Sequence, residues 1–130
     1  YANSYYGTDT VRTLKLPAGK FFVSSTVDLP PMVNLVGDGQ GITTLVLSSQ
    51  NTNLFRTVDS LGAHYEQGMQ FDDRASKNVV IKDMTLSYSG NYANNNALIS
   101  LDNTDNPRII NVEFTTNNTT KNQKSLEIRN

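Results

Sequence analysis

The feature that most limits how this chain can fold is an internal repeat. NVVIKDMTLS (78–87) aligns with NPRIINVEFT (106–115), every matched position falling at the same interval. Ile81 falls on Ile109, Met84 on Val112 and Leu86 on Phe114, while the polar step at Asp83 falls on Asn111. Phe71-Asp72 aligns with Leu101-Asp102 at a slightly longer step, and Ile128-Arg129 follows at a slightly shorter one. Periods of this length belong to chains that stack one structural unit on the next. Small inequalities between the steps are what fixed strands joined by variable loops produce.

The units read as strands. TLKL (13–16), TTLVLS (43–48), NVVIKDMTLSY (78–88), ALISLD (97–102), RIINVEF (108–114) and SLEIRN (125–130) alternate apolar and polar residues. Period two marks a strand with one buried face. The nearest approach to a helical stripe is SLGAHYEQGMQ (60–70), and two glycines interrupt it. NYANNN (91–96) and TTNNTTKNQ (115–123) are rich in side chains that compete for backbone hydrogen bonds. Stacking such strands in register, about 4.8 Å apart, gives a β-solenoid with inward Ile, Leu, Met, Val and Phe. Polar corner residues such as Asp83 and Asn111 then stack too, and their side chains hydrogen-bond along the axis. The competing all-β arrangement, an antiparallel sandwich, requires hairpin signals, and Asp38-Gly39 is the one present.

NLVGDGQGITTLVL (34–47) tests whether the chain holds a phosphate cradle. Its glycines, Gly37, Gly39 and Gly41, are spaced G-x-G-x-G and lead into a β-branched strand. A dinucleotide fingerprint needs G-x-G-x-x-G opening a helix, and a P-loop needs Gly-Lys-Ser/Thr. The glycines read as a tight corner between two strands.

A length of 130 residues suits one domain with a core. Net charge is −1 and the pI about 5.7, with Lys and Arg scattered singly, so no nucleic-acid partner and no membrane insertion are expected. No apolar run approaches the roughly 20 residues of a membrane span. Cysteine is absent, which removes disulfides, thiolate metal sites and a Cys nucleophile. YANSYY is neither a charged leader nor an initiator Met, so the chain reads as a processed product or an excised fragment. Residues 1–12 read as a lead-in segment and 13–130 as the repeat domain, incomplete at its C-terminal end.

LKLPAGKFFVSSTVDLPPMVNLVGDGQGITTLVLSS (14–49) resembles the opening coils of the pectate-lyase-like superfamily. Pro17-Ala18-Gly19, Leu29-Pro30, Gly37-Asp38-Gly39 and Thr44-Leu45-Val46 occupy that family's characteristic places, and SKNVVIKDMTLSYS and NPRIINVEFTTN look like its regular coils. The resemblance implies an all-β, right-handed single-stranded parallel β-helix of about four to five coils. Its members include pectate lyases, polygalacturonases and phage tailspikes or tail-fibre depolymerases. The Cys-free, Asn/Ser/Thr-rich composition is most similar to the phage branch. That branch implies host surface polysaccharide as partner, a homotrimer, and a place on the virion tail or outside the cell. A capping helix, common in the family, is not visible before Thr13, so both coil ends read as covered by further protein or by another chain.

Glycan hydrolysis calls for paired carboxylates about 5 Å or about 6.5–9.5 Å apart. Asp72, Asp73 and Asp102 are the catalytic candidates, and the repeat alignment puts Asp72 and Asp102 on neighbouring coils. Their plainer reading is turn or edge residues facing water. The resemblance to lyases adds calcium, with these carboxylates as ligands and Arg74 or Arg108 as base; otherwise no cofactor or metal is expected. Of the polygalacturonase motifs only an Asp-Asp pair, Asp72-Asp73, is present, and the sole histidine, His64, lies beside Glu66 in GAHYE. Tyr65, Tyr88 and Tyr92, read as loop aromatics, and Asn94 are candidates for stacking on and reading a sugar, with Arg74 and Arg108 beside them. NNTT (117–120) carries glycosylation sequons at Asn117 and Asn118. Three functions follow for the segment: glycan cleavage, glycan binding, or scaffold.

Overall fold

A computed structural model describes residues 11–49, 52–58, 76–89, 94, 96–102, 104–116 and 124–129. Period-two alternation turns into twelve strands among these residues. They are β1 (Arg12–Lys15), β2 (Gly19–Val23), β3 (Val27–Leu29), β4 (Val33–Val36), β5 (Thr43–Leu47) and β6 (Phe55–Thr57), then β7 (Ser76–Lys77), β8 (Val80–Tyr88), β9 (Ile99–Asp102), β10 (Thr104–Asp105), β11 (Arg108–Thr116) and β12 (Leu126–Arg129). Every pairing between them is parallel. A sandwich built on hairpins would pair antiparallel, so the structure is the solenoid.

One sheet has six strands. β1 pairs with β4 and β2 with β5; β4 and β5 then lie end to end along one edge of the nine-residue β8, and β11 takes its other edge. A four-stranded sheet runs β3-β6-β9-β12, and β7 pairs with β10. The internal repeat is reproduced as register, Ile81 opposite Ile109, Met84 opposite Val112 and Leu86 opposite Phe114. Leu101-Asp102 lies opposite Ile128-Arg129, as the alignment gives. Phe71-Asp72, the other proposed match, lies outside the described residues. β9 is flanked by β6 and β12, so among the described residues its neighbour on the earlier side is Phe55–Thr57. Alternating patterns repeat at many offsets, and the longer interval between β6 and β9 kept this pairing out of the repeat.

Inward residues form one core. Leu29, Leu47, Leu54, Ile81, Met84, Leu86 and Ile99 are at most 2% exposed. The outermost strands keep their apolar side chains open, with Leu14 at 52% and Ile128 at 61% exposure. At the β1–β3 end the interior opens into a cavity of about 460 Å³ walled by Leu14, Leu16, Phe21, Val23 and Val27 among others.

Two kinds of corner turn the chain. Asn78 and Asn106 adopt the left-handed conformation (φ 53° and 56°), which asparagine tolerates, and the Asn106 Nδ2 donates to the Asn78 Oδ1 at 3.0 Å. Asp83 and Asn111 do the same at the next bend (φ 61° and 53°), with the Asn111 amide donating to Asp83 at 2.9 Å. This is the axial polar ladder that the sequence predicts. One layer earlier the Asp83 bend is replaced by the 37–42 corner. There Gly39 and Gly41 take φ 141° and 74°, and the Gly37 and Gly39 N–H groups donate to the Lys82 and Asp83 carbonyls. The glycines make a strand-to-strand corner, as their spacing implies.

Candidate functional site

In a strand, successive side chains point to opposite faces. On the four-stranded sheet this sends Phe55 and Ile99 inward and sets Asp28, Arg56, Ser100 and Glu127 in one outward row. Arg56 donates from Nε and Nη2 to the same Asp28 Oδ1, at 3.1 and 2.9 Å. The pair is partly exposed, so it orients the two side chains and adds little stability. Asp102 lies two positions beyond Ser100 on the same strand face. Its Oδ2 accepts from the Ser100 hydroxyl at 2.9 Å, and the two residues are 2% and 0% exposed. The Thr57 hydroxyl accepts from the Asp102 backbone N–H at 2.9 Å, and the Thr104 hydroxyl donates to the Asp102 carbonyl at 3.1 Å. Asp102 is thus a covered, hydrogen-bonded carboxylate, where the plainer sequence reading had it in water.

The other candidates separate. Tyr88 is not a loop residue: it ends β8 opposite Leu47, 1% exposed within the core cluster, and offers no ring face to a sugar. Burial pushes its phenol above the usual range. Asn94 is 3% exposed, its amide donating to the Thr52 carbonyl at 3.0 Å and its Oδ1 accepting from the Asn96 N–H at 3.1 Å. Arg108 opens β11 on the six-stranded sheet, exposed, so Asp102 and Arg108 lie on different sheets. Asp72, Asp73, Tyr65, Tyr92 and Arg74 lie outside the described residues, as do His64, Glu66, Asn117 and Asn118.

Sequence reasoning missed Thr57, Ser100 and Thr104, because a hydroxyl carries no pattern until its partner strand is known. It also passed over Asn78 and Asn106, although both head the two aligned repeats. Of the carboxylates offered as calcium ligands only Asp102 is described, and Ser100 already occupies its Oδ2. The described residues hold no group of three or more acidic or histidine side chains placed around a metal. Nor, among the described residues, is any helix long and apolar enough to cross a membrane.

A profile of the family described as rhamnogalacturonase A/epimerase, pectate lyase-like, matches residues 6–130. The chain belongs to this pectate-lyase-like family. Membership agrees with the all-parallel stack and with the residues of 14–49 that first carried the resemblance. No curated protein and no solved structure matches the chain significantly. Within the pectate-lyase-like family, then, the fold is shared and the ligand has to be argued from this chain's own surface.

Proposed function

We propose that this chain is part of a phage tailspike- or tail-fibre-like protein that recognises host surface polysaccharide. In this reading it is a right-handed single-stranded parallel β-helix of four to five coils, assembled as a homotrimer on the virion tail or otherwise outside the cell. The observation that carries the reading is the axial repetition of outward polar side chains on a pectate-lyase-like solenoid. Asp28, Arg56 and Glu127 stand in one such row, with the covered Ser100 among them, and Lys20, Thr44 and Glu113 in another, with the covered Thr85 among them. A polysaccharide is itself a repeating array of hydroxyls, and a surface repeating at strand spacing meets several of its units at once. Low charge and abundant Asn, Ser and Thr serve the same chemistry.

Recognition is favoured over cleavage by these residues because Asp102 is covered, whereas glycosidic hydrolysis needs two carboxylates flanking the bond. A secreted pectate-lyase-like or glycoside-hydrolase-like enzyme is the second reading, favoured by the enzymes in the family's description. Incubating the chain with capsular, lipopolysaccharide and plant acidic glycans, and reading bound fraction and chain length together, separates these. Saturable binding without shortening is expected. Shortened chains would replace this reading with the enzymatic one, and neither binding nor shortening would reduce the segment to a scaffold.

A further inference from the structure

The outer face of the six-stranded sheet carries a groove of about 290 Å³, lined by Val11, Asn34, Asn78, Val80, Asn106 and Arg108. Register explains it. Asn34, Val80 and Arg108 stand in one row across β4, β8 and β11, and the short Val80 between two longer side chains leaves a depression. The stacked corner amides of Asn78 and Asn106 form one wall.

Its chemistry is one-sided. No carboxylate lines it. The Arg108 guanidinium, exposed, makes no hydrogen bond or ion pair among the described residues, and neither does the Asn34 amide. The Asn106 Nδ2 spends one N–H on Asn78, and the Asn78 Nδ2 spends one on the Met32 sulfur at 3.3 Å. Each amide nitrogen keeps a second N–H. The Arg108 guanidinium therefore shares a small concavity with three amide groups, and Val11 and Val80 complete its lining. Elsewhere on the molecule Arg56 has its carboxylate in Asp28, whereas Arg108 has none among the described residues.

We propose that this groove is an oxyanion site, in which Arg108 and the amides of Asn34, Asn78 and Asn106 hold a carboxylate, sulfate or phosphate group. The planar guanidinium fork matches two oxygens of such a group, and charge-assisted bonds of this kind are about twice as strong as neutral ones. The site deepens the glycan reading by adding a charge requirement. The oxyanion arrives either as a free ion or as a substituent on a sugar chain.

The test is a titration of the whole isotope-labelled chain with sodium sulfate, against sodium chloride at matched ionic strength, followed by amide and Arg Nε–H NMR signals. Saturable shifts at Arg108, Asn34, Asn78 and Asn106 are expected with sulfate and not with chloride. Arg108→Gln should weaken sulfate binding about tenfold or more. Arg108→Lys, which keeps the charge and loses the fork, should fall between, and Lys124→Gln, which removes a charge outside the groove and outside both polar rows, should leave it unchanged. Non-saturating shifts, equal shifts in chloride, or Arg108→Gln titrating like the parent would overturn the site. A second arm compares a sulfated oligosaccharide with its desulfated counterpart. Tighter binding of the sulfated form assigns the oxyanion to a sugar. Equal binding of both removes the charge requirement and leaves glycan recognition standing. Binding of sulfate but of neither sugar keeps the oxyanion site, as one for a free ion, and removes the glycan reading.

Discussion

Met32 shows what one residue can cost a ladder. It precedes β4 at the place that Asn78 and Asn106 occupy in later layers, and it shares their left-handed backbone, with φ 63°. A methionine there bears a steric penalty of about 1–2 kcal/mol that asparagine largely avoids. Its sulfur is also a weak acceptor for the Asn78 amide. Met32→Asn should therefore raise the unfolding free energy by about 1 kcal/mol in urea denaturation. Asn78→Ala, which breaks the ladder on both sides, should lower it by about 1–2 kcal/mol. Tyr88 supplies a pH-dependent counterpart. Burial raises its phenol above the ordinary 10.0, so the folded chain keeps a proton that the unfolded chain has already released. Stability from this group is intact below about pH 10 and declines as pH climbs toward the folded value. The melting-temperature advantage of the parent over Tyr88→Phe should therefore shrink above about pH 10. A gap that stays constant across that range would count against the assignment.

At the scale of the element, the 37–42 corner is held by close approach. A Cβ added to Gly37 would stand 2.3 Å from the Asp83 carbonyl oxygen and 2.9 Å from the Thr43 side chain. Backbone cannot yield as a flexible side chain does, so Gly37→Ala should cost about 1–3 kcal/mol or more, measurable by calorimetry. Gly41, whose added Cβ would meet nothing within 4 Å, should lose stability on mutation to Ala only through its φ of 74°. Period-two runs located β5, β8, β9, β11 and β12, and the Ile81–Ile109 alignment foretold the register of β8 and β11, because side-chain alternation and stacking leave a direct imprint on sequence. The role of Asp102 was not legible. Its partners include Thr57, brought from β6 at an interval the repeat did not announce. Arg108 was singled out in the sequence as a base or a sugar contact, but the groove around it needed Asn34, far earlier in the chain, to be stacked two strands away.

Across the whole molecule, burial is graded along the stack. β8 and β9 lie between neighbours on both sides and carry the residues with almost no exposure, whereas the apolar side chains of β1, β2 and β12 are open. Amide exchange should follow that gradient, slowest in β8 and β9 and fastest in β1 and β12. Ile81→Ala should accordingly cost about 2–5 kcal/mol, and Ile128→Ala much less. Uniform protection from one end to the other would show that the described layers do not set local stability. The shared edge of β8 has a further consequence. The same bend is made by the 37–42 segment in one layer and by single residues, Asp83 and Asn111, in the next two, while β4, β5, β8 and β11 keep one register throughout. Heredity can thus lengthen or shorten a bend without disturbing the strands on either side. Such a chain can vary its outward bends while geometry holds its interior fixed.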